Sequence, residues 1–204
     1  MQKSDCASGA KGLLVVVSGP SAVGKDTILE QLLSAPEKLP RPVRRCVTVT
    51  TRPARTGEKE GRDYYFLTVP QFHEMASRDG FLEYANVFGN WYGTPCGWVA
   101  EQRAAGVDVI LKIDVQGGLA VQERVSDALL VFFRPPSLEE LERRLRARGT
   151  ETEEQIARRL LDARNEMAQM AHYDYSVVND KVEDAVIYLR SILRAEHCRI
   201  RPAR

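Results

Sequence analysis

The sequence predicts an α/β fold in which helices cover both faces of a central parallel sheet. Three continuous apolar runs carry this prediction, at residues 13–18, 108–113 and 128–133. An apolar run without alternation is typical of a strand that is buried on both faces of a parallel sheet. Helical patterns lie between and around the runs, and this alternation of strands with helices is the pattern of an α/β domain.

Residues 43–95 have a different character, because short β-leaning pieces alternate there with turn-forming and aromatic residues. They predict a small mixed-β insertion that one short helix interrupts near residues 71–78. After the third apolar run, the pattern S-L-E-E from Ser137 is a capping box and predicts the start of an Arg-rich helix. A longer helix to about residue 171, a last strand at 176–178 and a closing helix at 184–196 are expected to follow.

These patterns divide the chain into a core, an insertion and a helical segment. The predicted limits are 12–42, 96–136 and 161–196 for the core, 43–95 for the insertion, 137–160 for the helical segment, and 1–11 and 197–204 for flexible termini.

Composition excludes several classes of protein. The chain has 204 residues with 29 Lys and Arg against 28 Asp and Glu, and this near-zero balance gives no footprint for non-specific nucleic-acid binding. Four cysteines and three histidines stand without zinc-ligand spacing, so we expect free thiols in a reducing cytosol rather than a structural metal. No apolar run approaches a membrane span or a signal peptide. We therefore expect a cytoplasmic protein without membrane or nucleic-acid partners.

The segment GPSAVGKDT, which follows the first apolar run and precedes a helix, has the spacing of a phosphate-binding loop. Its glycines let successive N–H groups point at an anion, the helix adds the positive end of its dipole, and Lys25 reaches the β- and γ-phosphates of a nucleotide. The alternative is a glycine turn that only joins strand to helix. The order strand, loop, lysine and helix favours a phosphate site formed by Gly19, Pro20, Ser21, Ala22, Val23, Gly24, Lys25, Asp26 and Thr27.

One position departs from the loop pattern, which places Ser or Thr after the lysine as a ligand for Mg²⁺. This chain has Asp26 there, and Thr27 comes one residue late, about 100° further around the helix. Asp26 has three possible roles: a direct Mg²⁺ ligand, a ligand through water, or the partner of a basic residue.

Several further segments carry a resemblance to a known family. They are TVTTRPARTGEKEGRDYYF, FLEYANVFGNWYGTP, LKIDVQG, RLRARGTETEEQIARRL and VVND, in this order behind GPSAVGK. Over residues 12–196 the chain strongly resembles the guanylate kinase family. The resemblance implies a P-loop NTPase-type core, a GMP-binding insertion, a helical lid, and transfer of the γ-phosphoryl group from ATP to GMP with Mg²⁺ as cofactor. ATP and GMP are then its small-molecule partners.

The resemblance also implies roles for residues at matching positions. The ligands of the GMP phosphate would be Arg52, Arg55, Tyr64 and Tyr92, and the guanine would be read by Glu83, Thr48 and Thr94, with Asp114 in the same site. On the ATP side it assigns Arg144, Arg148 and Arg159 to the lid and hinge, and Asn179 to the neighbourhood of the adenine. The catalytic residues it implies are Lys25, Arg52, Arg148 and Arg159.

A second departure accompanies the first. Family members usually carry an acid two residues before the aspartate of LKIDVQG, and this chain has Lys112 there while Asp114 is kept. The sequence has thus gained an acid at Asp26 and a base at Lys112. Since the two strand ends are expected to be neighbours, we predict that Asp26 and Lys112 form an ion pair. The alternative is that Lys112 points elsewhere.

Two other functions remain open from the sequence. One is a guanylate-kinase-like module that binds a phosphorylated peptide without catalysis, but such modules generally lack an intact phosphate loop and lid arginines. The other is a P-loop kinase for a different acceptor, such as AMP, UMP or a sugar phosphate, against which Glu83 and the TTRPAR block argue. Turnover of GMP but not AMP separates all three.

Overall fold

The computed structural model describes residues 11–87, 89–147, 149 and 151–200, which form nine strands and seven α-helices. The strands are β1 (Leu14–Ser18), β2 (Val43–Arg45), β3 (Val49–Thr50), β4 (Tyr65–Phe66), β5 (Phe81–Val87), β6 (Asn90–Pro95), β7 (Asp108–Lys112), β8 (Ala128–Arg134) and β9 (Tyr175–Val178). The helices are α1 (Lys25–Leu33), α2 (Val69–Ser77), α3 (Cys96–Ala104), α4 (Val115–Arg124), α5 (Leu138–Ala147), α6 (Glu153–Ala168) and α7 (Val182–His197).

Five parallel strands form the core sheet in the order β2-β7-β1-β8-β9. The central strand β1 is buried throughout because its side chains alternate between two apolar layers. Val15 and Val17 pack with α1 and α7 on one face, whereas Leu14 and Val16 pack with residues of α3 and α4 on the other. This two-sided burial explains the continuous apolar run and confirms the predicted fold class.

A second, four-stranded sheet has the order β4-β3-β6-β5 and mixes parallel with antiparallel pairs. It has a small apolar centre of its own, in which the rings of Phe72 and Phe81 stack at 4.5 Å between centroids. This sheet is the predicted mixed-β insertion. Its predicted start at residue 43 differs from the structure, because Val43–Arg45 pair with β7 and belong to the core sheet.

Helices α5 and α6 pack on each other through Leu141, Leu145 and Ile156, and Ala22 of the glycine-rich loop joins that cluster. The capping box predicted at Ser137 is half formed. The Ser137 hydroxyl accepts from the Glu140 N–H at 3.2 Å, but the Glu140 carboxylate is bound by Arg143 and Arg144. The two arginines bind the Glu140 carboxylate in preference to the backbone N–H at the start of the helix, because their donors are charged.

The chain ends differ in part from expectation. Helix α7 continues to His197, whose Nε2 lies 2.7 Å from Oδ2 of the buried Asp108. Residues 1–10, including Cys6, and residues 201–204 lie outside the described part of the chain. Of the helices described, none has the length and apolar character needed to cross a membrane.

Candidate active site

A cavity of about 380 Å³ lies at the carboxyl ends of β1 and β7, where open α/β sheets bind their ligands. All nine residues of the predicted phosphate loop line it, together with Lys112, Ile113, Asp114 and Glu166. Gly24 caps α1 with a φ of 92°, in the left-handed region that favours glycine. At Gly19, a Cβ atom would lie 2.0 Å from the carbonyl oxygen of Phe133, so only glycine fits.

Lys25 folds back over this loop. Its ammonium group donates to the carbonyl oxygen of Gly19 and, at 3.0 Å, to that of Pro20. Burial lowers the pKa of Lys25 to about 8, although the nearby Glu166 acts in the opposite direction. Lys25 is therefore a poorly solvated cation that an anionic ligand in the cavity would stabilise.

Asn179 braces the loop from behind. Its buried side chain donates from Nδ2 to the carbonyl oxygen of Val23 at 2.7 Å, and its backbone N–H donates to the carbonyl oxygen of Arg134 at 2.8 Å. A Cβ on Gly24 would lie 2.6 Å from Nδ2, so the amide also packs against the glycine. The structure thus gives Asn179 a contact that the sequence did not indicate, beside the predicted adenine neighbourhood.

Asp26 and Lys112 form the predicted ion pair, with 2.5 Å between Nζ and Oδ1. The pairing of Val17 with Lys112 in adjacent strands brings the end of β7 beside the loop. Arg45 also approaches Oδ1 of Asp26, at 3.7 Å. Of the three roles considered for Asp26, the structure shows the partnership with a base.

A second cavity of about 260 Å³ adjoins the first and shares Lys112, Ile113 and Asp114 with it. The predicted residues that line it are Thr48, Tyr64, Glu83, Tyr92 and Asp114. The rings of Tyr64 and Tyr92 meet edge to face with centroids 6.0 Å apart. The two cavities therefore have a common wall at the end of β7.

Arg52 extends over the Tyr64 ring, with 5.3 Å from its guanidinium carbon to the ring centroid. Glu58 holds it there through a 2.8 Å hydrogen bond, and the other oxygen of Glu58 accepts from the backbone N–H of Arg55 at 2.8 Å. The hydrogen bond from Arg52 lowers the pKa of Glu58. The predicted phosphate ligands Arg52, Tyr64 and Tyr92 are thus together, whereas Arg55 is exposed beside them.

Glu83 lines the second cavity. Its Oε1 accepts a 2.6 Å hydrogen bond from the buried hydroxyl of Thr94, and burial raises its pKa, with Asp114 adding to the rise. Asp114 itself caps α4 by accepting from the Gly117 N–H at 2.7 Å. A Cβ on Gly117 would lie 3.1 Å from Oε2 of Glu83, so this glycine leaves room for the carboxylate.

A family profile described as "Guanylate kinase" matches residues 11–196. The chain belongs to the guanylate kinase family. It is 46% identical over 190 residues to the guanylate kinase of Clostridium acetobutylicum, covering 93% of this chain and 88% of the relative. It is 45% identical to that of Streptococcus thermophilus, covering 93% and 90%. The crystal structure of guanylate kinase from Anaplasma phagocytophilum superimposes with a TM-score of 0.75 at 35% identity, covering 94% of this chain and 89% of that chain.

Of the arginines that the resemblance assigns to a lid and hinge, only Arg159 contacts the loop among the described residues. Arg159 donates to the Ser21 hydroxyl at 2.6 Å and pairs with Glu151 at 2.9 Å. Arg144 instead binds Glu140 at 2.8 Å and the carbonyl oxygen of Asp180 at 3.3 Å, so it does not line the phosphate cavity. Arg148 lies outside the described residues.

Sequence reasoning missed three residues of this guanylate kinase site: Glu58, which holds Arg52; Arg45, which approaches Asp26; and Glu166 in the phosphate cavity. Oε2 of Glu166 is buried and has no hydrogen-bond partner among the described residues. Burial raises its pKa, while Lys25 acts to lower it. No spacing rule marks Glu166, because α6 brings it to the loop from a distant part of the chain.

Proposed function

We propose that this protein transfers the γ-phosphoryl group of ATP to GMP at the place where its two cavities meet. The observation that carries the proposal is that a phosphate loop with Lys25 adjoins a pocket lined by Glu83, whose carboxylate Thr94 holds. The phosphate loop suits the phosphates of the nucleotide that gives up the phosphoryl group. The pocket with Glu83 suits an acceptor nucleotide whose purine edge carries N–H groups. The predicted core, insertion and lid would then be the parts that close around the two nucleotides.

On the acceptor side, Arg52 and Arg55 supply guanidinium forks, and Tyr64 and Tyr92 supply hydroxyl groups, for the dianionic phosphate of GMP. In the same cavity, Glu83 accepts from guanine N1–H and the 2-amino group, and the Thr48 hydroxyl offers a polar contact to the base edge. Thr94 holds Glu83 in place through its hydroxyl. Adenine has no N1–H and no 2-amino group, so it would leave this carboxylate unpaired. A site of this kind discriminates by about 10⁴.

On the donor side, the N–H groups of the loop and Lys25 hold the β- and γ-phosphates, and Arg159 with Arg148 would close from the lid. A GMP phosphate oxygen forms a bond to the γ-phosphorus, and the bond from that phosphorus to the bridging oxygen breaks, which releases ADP. The attacking oxygen is already anionic, so the step needs no general base. Catalysis then comes from positioning and from cations that face the developing charge.

The residues present also fit Mg²⁺ as the cofactor. Asp114 and Glu166 place carboxylates in the phosphate cavity, and the buried Oε2 of Glu166 has no hydrogen-bond partner among the residues described. These two carboxylates would hold the metal, whereas Asp26, which lines the same cavity, pairs with Lys112 and Arg45 instead. When bound, the cation would neutralise phosphate oxygens.

The non-catalytic alternative is not favoured. Lys25 lies in an intact phosphate loop and Arg159 contacts Ser21 of that loop, and phosphopeptide-binding modules generally lack both features. The free thiols of Cys46, Cys96 and Cys198 support a reducing compartment, so we place the reaction in the cytoplasm.

Tracing the transferred group tests the reaction. Purified protein is incubated with GMP, magnesium and ATP carrying a radiolabelled γ-phosphate, and the products are separated. The label is expected in GDP. Label found only in free phosphate, or remaining in ATP while GMP binds, would overturn the proposed transfer.

The affinity for ATP should depend on the protonation of Lys25. Because the pKa of Lys25 is lowered to about 8 in the free protein, the lysine is charged below that pH and loses its proton above it. Bound phosphates favour the charged form, so the ATP dissociation constant should be flat below pH 8 and rise up to about tenfold per pH unit above it. Calorimetric titrations between about pH 7 and 9.5 measure this. A Lys25→Met variant should show no rise, and a similar rise in that variant would contradict the assignment.

Removing the loop brace should weaken ATP binding selectively. In an Asn179→Ala variant the carbonyl of Val23 loses a buried hydrogen bond, which costs about 1–3 kcal/mol. We expect the ATP dissociation constant to rise about tenfold, with GMP affinity unchanged. Calorimetry with each nucleotide measures both, and Asn165→Ala, at an exposed position of α6, is the matched control. Equal weakening for the two nucleotides would show a general loss of structure instead.

A further inference from the structure

We propose that Lys112 is a catalytic residue that leaves Asp26 and contacts the phosphoryl group in transit between the two nucleotides. This inference rests on the proposed function, because it assigns a new role inside the same site. It concerns a position where the chain departs from its family, since an acid usually stands there.

The first argument is position. Lys112 is the last residue of β7. It lines the first cavity at the phosphate loop, the second cavity with Glu83, and a third cavity that also includes Arg45 and Tyr64. A cation in the wall between a donor and an acceptor phosphate faces the place where negative charge develops during transfer. Lys25, by contrast, lines only the first of these three cavities.

The second argument is that the ion pair can open. The Asp26 side chain is 61% exposed and that of Lys112 is 30% exposed, so water screens their attraction. Lysine carries its charge on a flexible four-carbon stem and can redirect its ammonium group at low cost. Two bound nucleotides bring several phosphate charges to the cavities, whereas Asp26 offers one.

The third argument is that Asp26 keeps a partner when Lys112 leaves. Arg45 already lies 3.7 Å from the same carboxylate oxygen. Asp26 therefore holds Lys112 in the position seen in the structure, and Arg45 neutralises Asp26 once Lys112 has moved to the phosphates. A simpler role for Lys112, as a counter-ion that only cancels the charge of Asp26, makes a different prediction.

A double-mutant cycle separates the two roles. The variants are Lys112→Met, Asp26→Asn and the two combined, with Lys112→Arg as the charge-conserving variant and Lys11→Met as the matched control at an exposed lysine. Each is measured for its single-turnover rate with saturating ATP and GMP and for its dissociation constants with each nucleotide alone. A third probe is a bisubstrate in which adenosine and guanosine are joined at their 5′ positions by five phosphates.

We expect Lys112→Met to lose about a hundredfold in single-turnover rate and about tenfold or more in affinity for the bisubstrate, while binding each nucleotide alone within about threefold of the parent. Lys112→Arg should recover part of the rate. Removing the charge of Asp26 as well should bring no recovery, so the combined variant should be as slow as Lys112→Met.

The opposite pattern overturns the proposal. If the combined variant regains the parent rate, Lys112 only neutralises Asp26, and if Lys112→Met turns over like Lys11→Met, it has no role in the transfer. Both outcomes leave the proposed function intact, because the parent would still make GDP. A parent that neither makes GDP nor binds the bisubstrate would end both proposals.

Discussion

Replacing Lys25 with methionine is expected to lower kcat for phosphoryl transfer from ATP to GMP by about a thousandfold. Lys25 already lies in the loop with a lowered pKa. Its ammonium group is placed to stabilise the negative charge that develops on the transferred phosphoryl group. Methionine keeps the length and apolar stem of the side chain, so the loop should keep its shape. Single-turnover rates with both nucleotides saturating measure the chemical step directly.

The control for this variant is Lys38→Met, which removes a lysine from the 3₁₀ turn at Pro36–Lys38, away from both cavities. It should turn over like the parent. If Lys25→Met keeps the parent rate and only weakens ATP binding, Lys25 binds the donor without stabilising the transition state.

The second large effect is expected at Glu83. In Glu83→Gln the side chain can still accept from Thr94, but an amide N–H would face guanine N–H groups. We expect kcat/KM for GMP to fall about a thousandfold while kcat/KM for AMP changes little, because adenine never used the carboxylate. Initial rates with each acceptor under the same ATP and magnesium conditions give the ratio.

Glu74→Gln is the matched control, since Glu74 lies on the surface of α2 and pairs with Arg78. It should leave both acceptors unaffected. A Glu83→Gln variant that loses activity with GMP and AMP by the same factor would show that Glu83 supports the sheet rather than reading the purine.

Local patterns explain how much of the fold could be predicted. The strand β1, the loop and α1 follow one another in sequence, so their contacts depend on neighbouring residues and the pattern suffices. The Asp26–Lys112 pair could also be predicted, because both departures are visible in the sequence and parallel strands end at one edge of a sheet. The sequence did not indicate a strand at Val43–Arg45, because these three residues carry no two-sided apolar run and only their pairing with β7 defines the strand.

Side-chain partners at the site were harder to predict than its backbone. Arg144 was expected at the ATP phosphates, yet Glu140, one turn earlier on α5, offers it a charged acceptor at 2.8 Å. Glu166 approaches Lys25 only because α6 packs on the loop, and Asn179 reaches Val23 only because β9 lies beside β8. Such contacts depend on tertiary packing, which residue spacing does not encode.

The most direct measurement of the central claim is the ratio of kcat/KM for GMP to that for AMP, followed by ADP release from MgATP with the unmodified protein. If the two cavities bind a donor and an acceptor nucleotide, and Glu83 reads guanine, the ratio should be at least about 10³. Equal rates with the two acceptors, or no ADP release with GMP, would contradict the account.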